Sequence, residues 1–178
     1  MRTRVIAIGQ RAAGDDGVGP AVLDHLTRAP GNTGPRDAAA GDRPGWGDSA
    51  GRPGNAGARR GVEFCEAADA MDLISLLQYD GAVILIDAFV GEDPPGTVRE
   101  IPVEILDDAR TRPLSSHGMS VRQAIDLART LSPKRVSASI RIVGVSIARS
   151  MDRSVGLSSA VARAVPLAAG SVMGMLGD

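Results

Sequence analysis

Short apolar runs that end in glycine or an acidic residue alternate with segments of helical spacing along most of the chain. Residues 4–8 predict a strand buried on both faces, because Arg4 is followed by a continuous apolar run that Gly9 ends. After an acidic glycine loop comes a predicted helix with Asp16 as its N-cap and Pro20 in its first turn. The apolar face expected for this helix comprises Val18, Ala21, Val22, His25 and Leu26.

The middle of the chain repeats this alternation. Residues 62–65 predict a short strand, and Asp69 is placed to cap a helix that follows it. Residues 82–86 are the strongest strand signal, typical of a central strand, and this strand delivers Asp87 at its carboxyl end. Ile101, Val103 and Ile105 alternate with polar residues or Pro102, which favours an antiparallel edge strand.

The last third predicts two helices and one strand. Ser120 and Gln123 have the spacing of a capping box, and the helix that follows carries an apolar face ending at Leu131. Residues 136–145 predict the last strand. A final helix follows, and Pro166 is expected to kink it.

This order of elements predicts an α/β fold: a three-layer αβα sandwich around a mostly parallel, about five-stranded sheet with an antiparallel edge strand. The 178 residues fit a single domain, residues 1–178. Residues 30–60 are rich in Gly, Pro and Ala and poor in aliphatic residues, so we expect a flexible surface insertion there. Trp46 within it is interpreted as solvated, or else as a contact to a partner.

Composition excludes several classes of function. The net charge of −1 gives no footprint for nucleic acid or an anionic membrane, and aromatics at 2% make base stacking a poor prospect. No apolar run approaches the roughly 20 residues of a membrane span, and the segment before the first strand is too short for a signal peptide. The single cysteine, Cys65, fits a reducing cytoplasm and is interpreted as a small buried hydrophobe.

Three residues are candidates for chemistry: Asp16, Asp87 and His117. Each lies at or just beyond an apolar segment, in a loop compatible with the carboxyl edge of the sheet, where ligands of such folds collect. Two carboxylates and an imidazole are a minimal site for a borderline divalent metal, which indicates an enzyme. The simpler alternatives are a helix cap for Asp16, a turn for Asp87 and a loop cap for His117, and Asp15 competes with Asp16 for either role. His25, the other histidine, is interpreted as packed on the first helix.

The motifs together resemble one family, the endopeptidases that mature the large subunit of nickel–iron hydrogenases. The resemblance lies in IGQRAAGDDGVG (residues 8–19), LIDA (85–88), PGT (95–97), SSHGMS (115–120) and the tail around residues 144–158. The chain departs from the family pattern at Gln10, where asparagine is usual, and at Ser146, where an acidic residue is usual.

The resemblance implies a protease that cuts a C-terminal extension from a hydrogenase large-subunit precursor after nickel insertion. By motif, Asp16, Asp87 and His117 would contact the metal and carry catalysis. The nickel would arrive within the precursor, although zinc or another divalent ion suits the same donors. The implied partner is the nickel-loaded precursor, bound by a cytoplasmic monomer that needs neither nucleic acid nor membrane.

Other functions stay open at the level of sequence. The glycine loop between strand and helix suggests a nucleotide or phosphate site, but its spacing differs from the dinucleotide pattern and two aspartates would repel phosphate. A maturation chaperone that senses nickel without cutting, and a stand-alone hydrolase of small amides, are the further alternatives. No Gly-x-Ser-x-Gly elbow follows a predicted strand and no His-Glu-x-x-His motif occurs in the sequence, so serine-hydrolase and conventional zinc-protease functions lack support.

Overall fold

One mixed six-stranded sheet organises the protein, in a computed structural model that describes residues 2–28, 61–106, 111–113, 119–148 and 156–177. The strand order is β2-β1-β3-β6-β4, with a short β5 paired to the end of β3. The strands are β1 (Thr3–Ile8), β2 (Val62–Ala67), β3 (Ala82–Gly91), β4 (Val98–Glu100), β5 (Thr111–Pro113) and β6 (Ile140–Ser146).

Two pairs of helices cover the two faces of the sheet, which confirms the predicted three-layer αβα sandwich. On one face α1 (Val18–Arg28) packs beside α4 (Ser159–Gly177), and on the other α2 (Ala70–Leu76) packs beside α3 (Val121–Leu131). Successive side chains of a strand point to opposite faces, so β3 supplies Ile84 to the first layer and Leu85 to the second. This two-sided burial explains the uninterrupted apolar sequence of β3. Single-domain organisation stays a prediction, and the 30–60 segment with Trp46 lies outside the described residues.

The strands β1, β2, β3 and β6 run parallel, whereas β4 is antiparallel to β6 and lies at the edge, as predicted. The predicted position of that edge strand was wrong. Pairing covers Val98–Glu100, and Val103–Ile105 forms a turn of 3-10 helix instead. Pro102 explains the difference: its fixed φ of −60° starts the 3-10 turn, and it has no N–H to give to a ladder.

Two expectations about helix faces were also wrong. His25 is exposed, because the buried stripe of α1 runs through Gly19 and Leu23 rather than through Ala21 and His25. Close contact between Gly19 and the backbone of β1 sets this rotation of the helix. Leu131, the last residue of α3, is 63% exposed, since the buried face of that helix ends one turn earlier at Ala128.

The caps that the sequence predicts for α2 and α3 are confirmed. The Asp69 carboxylate accepts hydrogen bonds from the amides of Met71 and Asp72 at 2.8 and 3.2 Å, and so caps α2. At α3 both bonds of the capping box are present: Gln123 N donates to Ser120 Oγ at 3.2 Å, and Ser120 N donates to Gln123 Oε1 at 2.9 Å. The strand predicted over residues 136–145 begins later, at Ile140.

The last helix, α4, is long and apolar enough to cross a membrane by length and composition alone. In the described structure it packs against α1 and β6, and it buries Val161, Ala164 and Val172. Pro166 lies inside this helix, and the kink expected there stays a prediction. A core helix of a folded domain passes the same two criteria, so α4 is weak evidence for a membrane span.

Gly19 and Gly170 predict opposite responses to the same substitution. A Cβ at Gly19 would lie 2.3 Å from the Ile8 carbonyl oxygen, so Gly19→Ala forces the helix off the sheet and should cost about 3 kcal/mol. A Cβ at Gly170 meets no atom within 4 Å. Gly170→Ala should therefore stabilise α4 by about 0.5–1 kcal/mol. Urea unfolding of both variants measures the contrast, and equal effects of the two substitutions would contradict this packing.

Candidate active site

A tight turn places Asp16 above the end of β1. After Ile8 the chain reverses at Gly9, which has φ +124°, a value that L side chains rarely adopt. A Cβ at Gly9 would stand 2.1 Å from the carbonyl oxygen of Asp16. Only glycine therefore lets the acidic turn, the 3-10 helix of Gly14–Gly17, lie so close to the strand it follows.

The two aspartates of the acidic turn accept hydrogen bonds from different parts of the chain. Asp16 Oδ2 accepts a hydrogen bond from the Gln10 amide at 3.0 Å, so its carboxylate points back toward the end of β1. Asp15 Oδ1 accepts from the Ser158 amide at 2.6 Å, directly before α4. Neither side chain is seen to cap α1, so the predicted N-cap role of Asp16 was wrong. The two carboxylates thus bond to different parts of the chain, Asp16 to the loop after β1 and Asp15 to the segment before α4.

Asp87 lies on the neighbouring strand, within β3 rather than at its end. The ladder to β1 stops at the Ala7–Ile86 pair, whereas the ladder to β6 continues past Asp87, which pairs with Gly144. Asp87 is thus the first residue of β3 beyond its pairing with β1, at the carboxyl edge shared by these parallel strands. Because β1 has turned away at Gly9, the space beside Asp87 is available to the acidic turn.

The charges of the two carboxylates interact. The pKa of Asp87 is raised to about 7, chiefly by burial and then by the negative charge of Asp16. One opposing contact exists: the Ala88 amide donates to Asp87 Oδ1 at 2.9 Å and favours the charged form. A carboxyl that titrates near neutral pH beside a second carboxylate suits proton transfer, and both oxygens suit a divalent cation.

The third predicted site residue, His117, lies outside the described residues, and its place at the site stays a prediction. Within the described ranges no group of three His, Cys, Asp or Glu residues converges as metal ligands. What the described structure brings together is therefore the pair Asp16 and Asp87. Cys65 is buried, and burial raises its pKa to about 11, so it is no thiolate nucleophile.

Arg11 and Ser146 support the site in ways the sequence did not reveal. Arg11 bonds both carboxylate oxygens of Asp24 on α1, at 2.9 and 3.0 Å, and also pairs with Glu66 on β2. These ion pairs connect the loop after β1 to α1 and to β2. The Ser146 hydroxyl, at the position where the family pattern carries an acidic residue, is fully buried and donates to the Asp93 carbonyl at 2.9 Å. It thereby holds the loop between β3 and β4. These partners lie far apart in sequence, so no local motif signals them.

A narrow cleft opens beside Asp87, between the sheet and the start of α3. Its walls are the side chains and backbone of Asp87, Phe89, Ile101, Leu106, Val121, Arg122, Ile142 and Gly144. Apart from Asp87 and Arg122, this lining is apolar. The candidate site is therefore a carboxylate pair with an apolar cleft on one side.

Comparison with known proteins gives a consistent result. The family model for the HycI hydrogenase maturation protease matches residues 61–175. The hydrogenase maturating endopeptidase HybD from E. coli is 17% identical, with a TM-score of 0.68 over 99% of this chain and 92% of that chain. The [NiFe] hydrogenase maturation protease HybD from Thermococcus kodakarensis is 20% identical, with a TM-score of 0.64 over 98% of this chain and 99% of that chain.

A third similar structure is the hydrogenase 2 maturation peptidase from Thaumarchaeota archaeon SCGC_AB-539-E09. It is 24% identical, with a TM-score of 0.60 over 99% of both chains. At these identities the structures show a shared fold, which agrees with the αβα sandwich. No curated protein matches the chain.

Asp87 should make the protein less stable as the pH rises. Its pKa of about 7 in the folded state exceeds the ordinary 3.8, so the folded state binds the proton more tightly. The free energy of unfolding then falls between about pH 4 and pH 7 and stays low above that range. Asp87→Asn retains an oxygen for the Ala88 amide and removes the charge. We expect it to raise the free energy of unfolding by about 2 kcal/mol at pH 8 and by almost nothing near pH 4.

Urea unfolding at several pH values, with a chelator present, measures this difference. Asp80→Asn, at an exposed position before β3, is the matched control and should show no such trend. Asp16→Asn should lower the pKa of Asp87, as followed by NMR of its carboxyl carbon, because it removes the neighbouring charge. A stabilisation by Asp87→Asn that is the same at pH 4 and pH 8 would contradict the burial of this carboxyl.

Proposed function

Because the chain belongs to the hydrogenase maturation protease family, we propose that it is an endopeptidase for a nickel–iron hydrogenase large-subunit precursor. It removes the C-terminal extension of that precursor after nickel has been inserted. The observation that carries this proposal is the interaction of Asp16 and Asp87 at the carboxyl edge of the sheet, where the Asp16 charge raises the pKa of Asp87. Such a pair gains from a cation that neutralises both members.

Nickel enters the proposed site as part of the substrate. Carboxylate oxygens accept borderline divalent ions, and an imidazole from His117 would complete a mixed donor set. Because carboxylates and imidazole also accept zinc and other divalent ions, selectivity for nickel comes from its delivery inside the precursor. A bound cation would lower the pKa of Asp87, which reverses the effect of Asp16.

The protein's own groups then have separate roles in hydrolysis. Asp16 and Asp87 would hold a divalent ion brought by the precursor, and such an ion would supply Lewis acidity to the scissile carbonyl. Asp16, fixed by the Gln10 amide, is the residue we assign to accept the proton of the attacking water. We assign this role to Asp16 rather than to Asp15 because the charge of Asp16 contributes to the raised pKa of Asp87. Asp87 orients the substrate at the same edge.

Binding of the precursor requires only one copy of the enzyme. We propose that the enzyme acts in the cytoplasm as a monomer and forms a transient one-to-one complex with the nickel-loaded precursor. A net charge of −1 does not favour binding to nucleic acid or to an anionic membrane surface during that encounter.

Cleavage of a cognate precursor should depend on nickel and on three residues. Asp16→Asn, Asp87→Asn and His117→Ala are each expected to slow removal of the C-terminal peptide at least about 100-fold, since each removes a contact to the reacting centre. Intact-mass spectrometry of nickel-loaded and nickel-free precursor measures this loss. Wild-type protein should cut the loaded form and leave the nickel-free form intact.

Two control variants separate these roles from general damage. His25→Ala removes the other histidine at an exposed position of α1, and Asp80→Asn removes an exposed carboxylate. Both should cleave at the wild-type rate. Nickel-loaded precursor that binds wild-type protein while its tail stays intact would favour the chaperone alternative. Cleavage retained by Asp87→Asn would remove Asp87 from the site.

A further inference from the structure

The position of the Asp16 carboxylate depends on the loop that follows β1. Its Oδ2 accepts a hydrogen bond from the backbone amide of Gln10 at 3.0 Å. The same loop, residues 10–13, also lies against Gly17, the next residue along the acidic turn. A Cβ at Gly17 would stand 3.2 Å from the carbonyl oxygens of Gln10 and Arg11. A displacement of this loop would therefore move the donor that holds Asp16.

Arg11 anchors this loop to two elements of the fold. Its Nη1 and Nη2 donate to the two carboxylate oxygens of Asp24, on α1, at 3.0 and 2.9 Å. Its Nε donates to Glu66 Oε2, on β2, at 3.1 Å, and Nη2 pairs with the other oxygen of that carboxylate. Glu66 is the strand partner of Ala7 on β1, so this contact reaches back to the strand that the loop leaves. The loop is thus fixed to a helix and to the sheet together.

The contacts of Arg11 exceed those of a single surface ion pair. Isolated exposed pairs contribute little to stability, because water competes for the charges and two long side chains lose freedom. Here one planar guanidinium forms two-pronged contacts with two carboxylates, a geometry that lysine does not reproduce. The hydrogen bond from Arg11 lowers the pKa of Asp24 below its ordinary value, which keeps that carboxyl charged. Replacement of Arg11 therefore removes both anchors of the loop at once.

We propose that Arg11 is a positioning residue for Asp16. By holding residues 10–13 on α1 and β2, it keeps the Gln10 amide against the Asp16 carboxylate. The carboxylate then stays in the orientation in which it takes a proton from the attacking water. The guanidinium acts through the backbone of the loop, since its contacts are to α1 and β2. The catalytic consequence rests on the proposed function, because the proton acceptor is assigned there, whereas the orientation of Asp16 does not.

Solvent exchange of the Gln10 amide, followed by NMR, tests the positioning itself without any substrate. Arg11→Met keeps an unbranched side chain but removes every ion pair, so exchange at Gln10 should become at least about 10-fold faster. The matched control amide is that of Ser120, which also donates to a side-chain oxygen, Gln123 Oε1 at 2.9 Å, at the start of α3. Exchange at Ser120 should not change, which separates a loosened loop from a destabilised protein.

Two further variants separate the effect of charge from that of geometry. Arg28→Met removes a second cation that pairs with Asp24, at 3.2 Å, and leaves the contacts of the loop in place. Exchange at Gln10 in this variant should match wild type. Arg11→Lys keeps the charge without the two-pronged contacts, and its exchange at Gln10 should fall between those of wild type and Arg11→Met.

Cleavage of the nickel-loaded precursor tests the catalytic consequence. Arg11→Met should lower kcat about 10-fold with little change in KM, since it alters the orientation of a catalytic group. In the Asp16→Asn background the same substitution should have no further effect, because the group that Arg11 orients has lost its function. An equal loss in both backgrounds would assign Arg11 a general structural role and overturn the proposal.

The two measurements distinguish failure of this inference from failure of the proposed function. Wild-type exchange at Gln10 in Arg11→Met, with cleavage by the wild-type protein intact, would overturn the positioning role alone. Wild-type cleavage by Arg11→Lys, with exchange at Gln10 as fast as in Arg11→Met, would assign the effect to charge and also overturn that role. Failure of wild-type protein to cut any nickel-loaded precursor would overturn the proposed function, while exchange at Gln10 would still decide whether Arg11 positions Asp16.

Discussion

The repulsion between two carboxylates, Asp16 and Asp87, at the carboxyl edge of the sheet is the interaction on which the rest of the site depends. Burial raises the pKa of Asp87, and the nearby charge of Asp16 raises it further, so the folded chain carries an unfavourable interaction at neutral pH. The surrounding structure holds that arrangement in place: Gly9 permits the tight turn, the Gln10 amide fixes Asp16, and Arg11 clamps the loop. An unfavourable pair held this firmly is typical of functional sites rather than of packing.

The topology of the sheet determines which residues lie next to Asp16 and Asp87. Parallel strands bring the ends of β1 and β3 to one edge, while the antiparallel pairing of β4 on β6 returns the chain past Gly144. That return places Ile101 over the glycine and so joins an apolar wall to the acidic pair. A buried carboxyl and a packed apolar wall thus lie on adjacent strands of one sheet.

Sequence alone predicted the features whose causes are local. The two-sided burial of β3, the Asp69 cap and the capping box of Ser120 and Gln123 each depend on residues within a few positions of one another. The errors arose where a distant contact decided the outcome. His25 is exposed because Gly19 meets the backbone of β1, and the motif spacing could not show which aspartate of the acidic turn faces Asp87. The role of His117 as a metal contact, which the resemblance implies, stays a prediction.

The bond between Asp15 and Ser158 links residues 143 positions apart and has a consequence for synthesis of the protein. The acidic turn leaves the ribosome 143 residues before the amide that anchors it. A growing chain that already contains both aspartates therefore lacks the anchor that fixes their turn. The acidic turn therefore gains this anchor only after all six strands of the sheet have been synthesised, because Ser158 follows β6 in the chain.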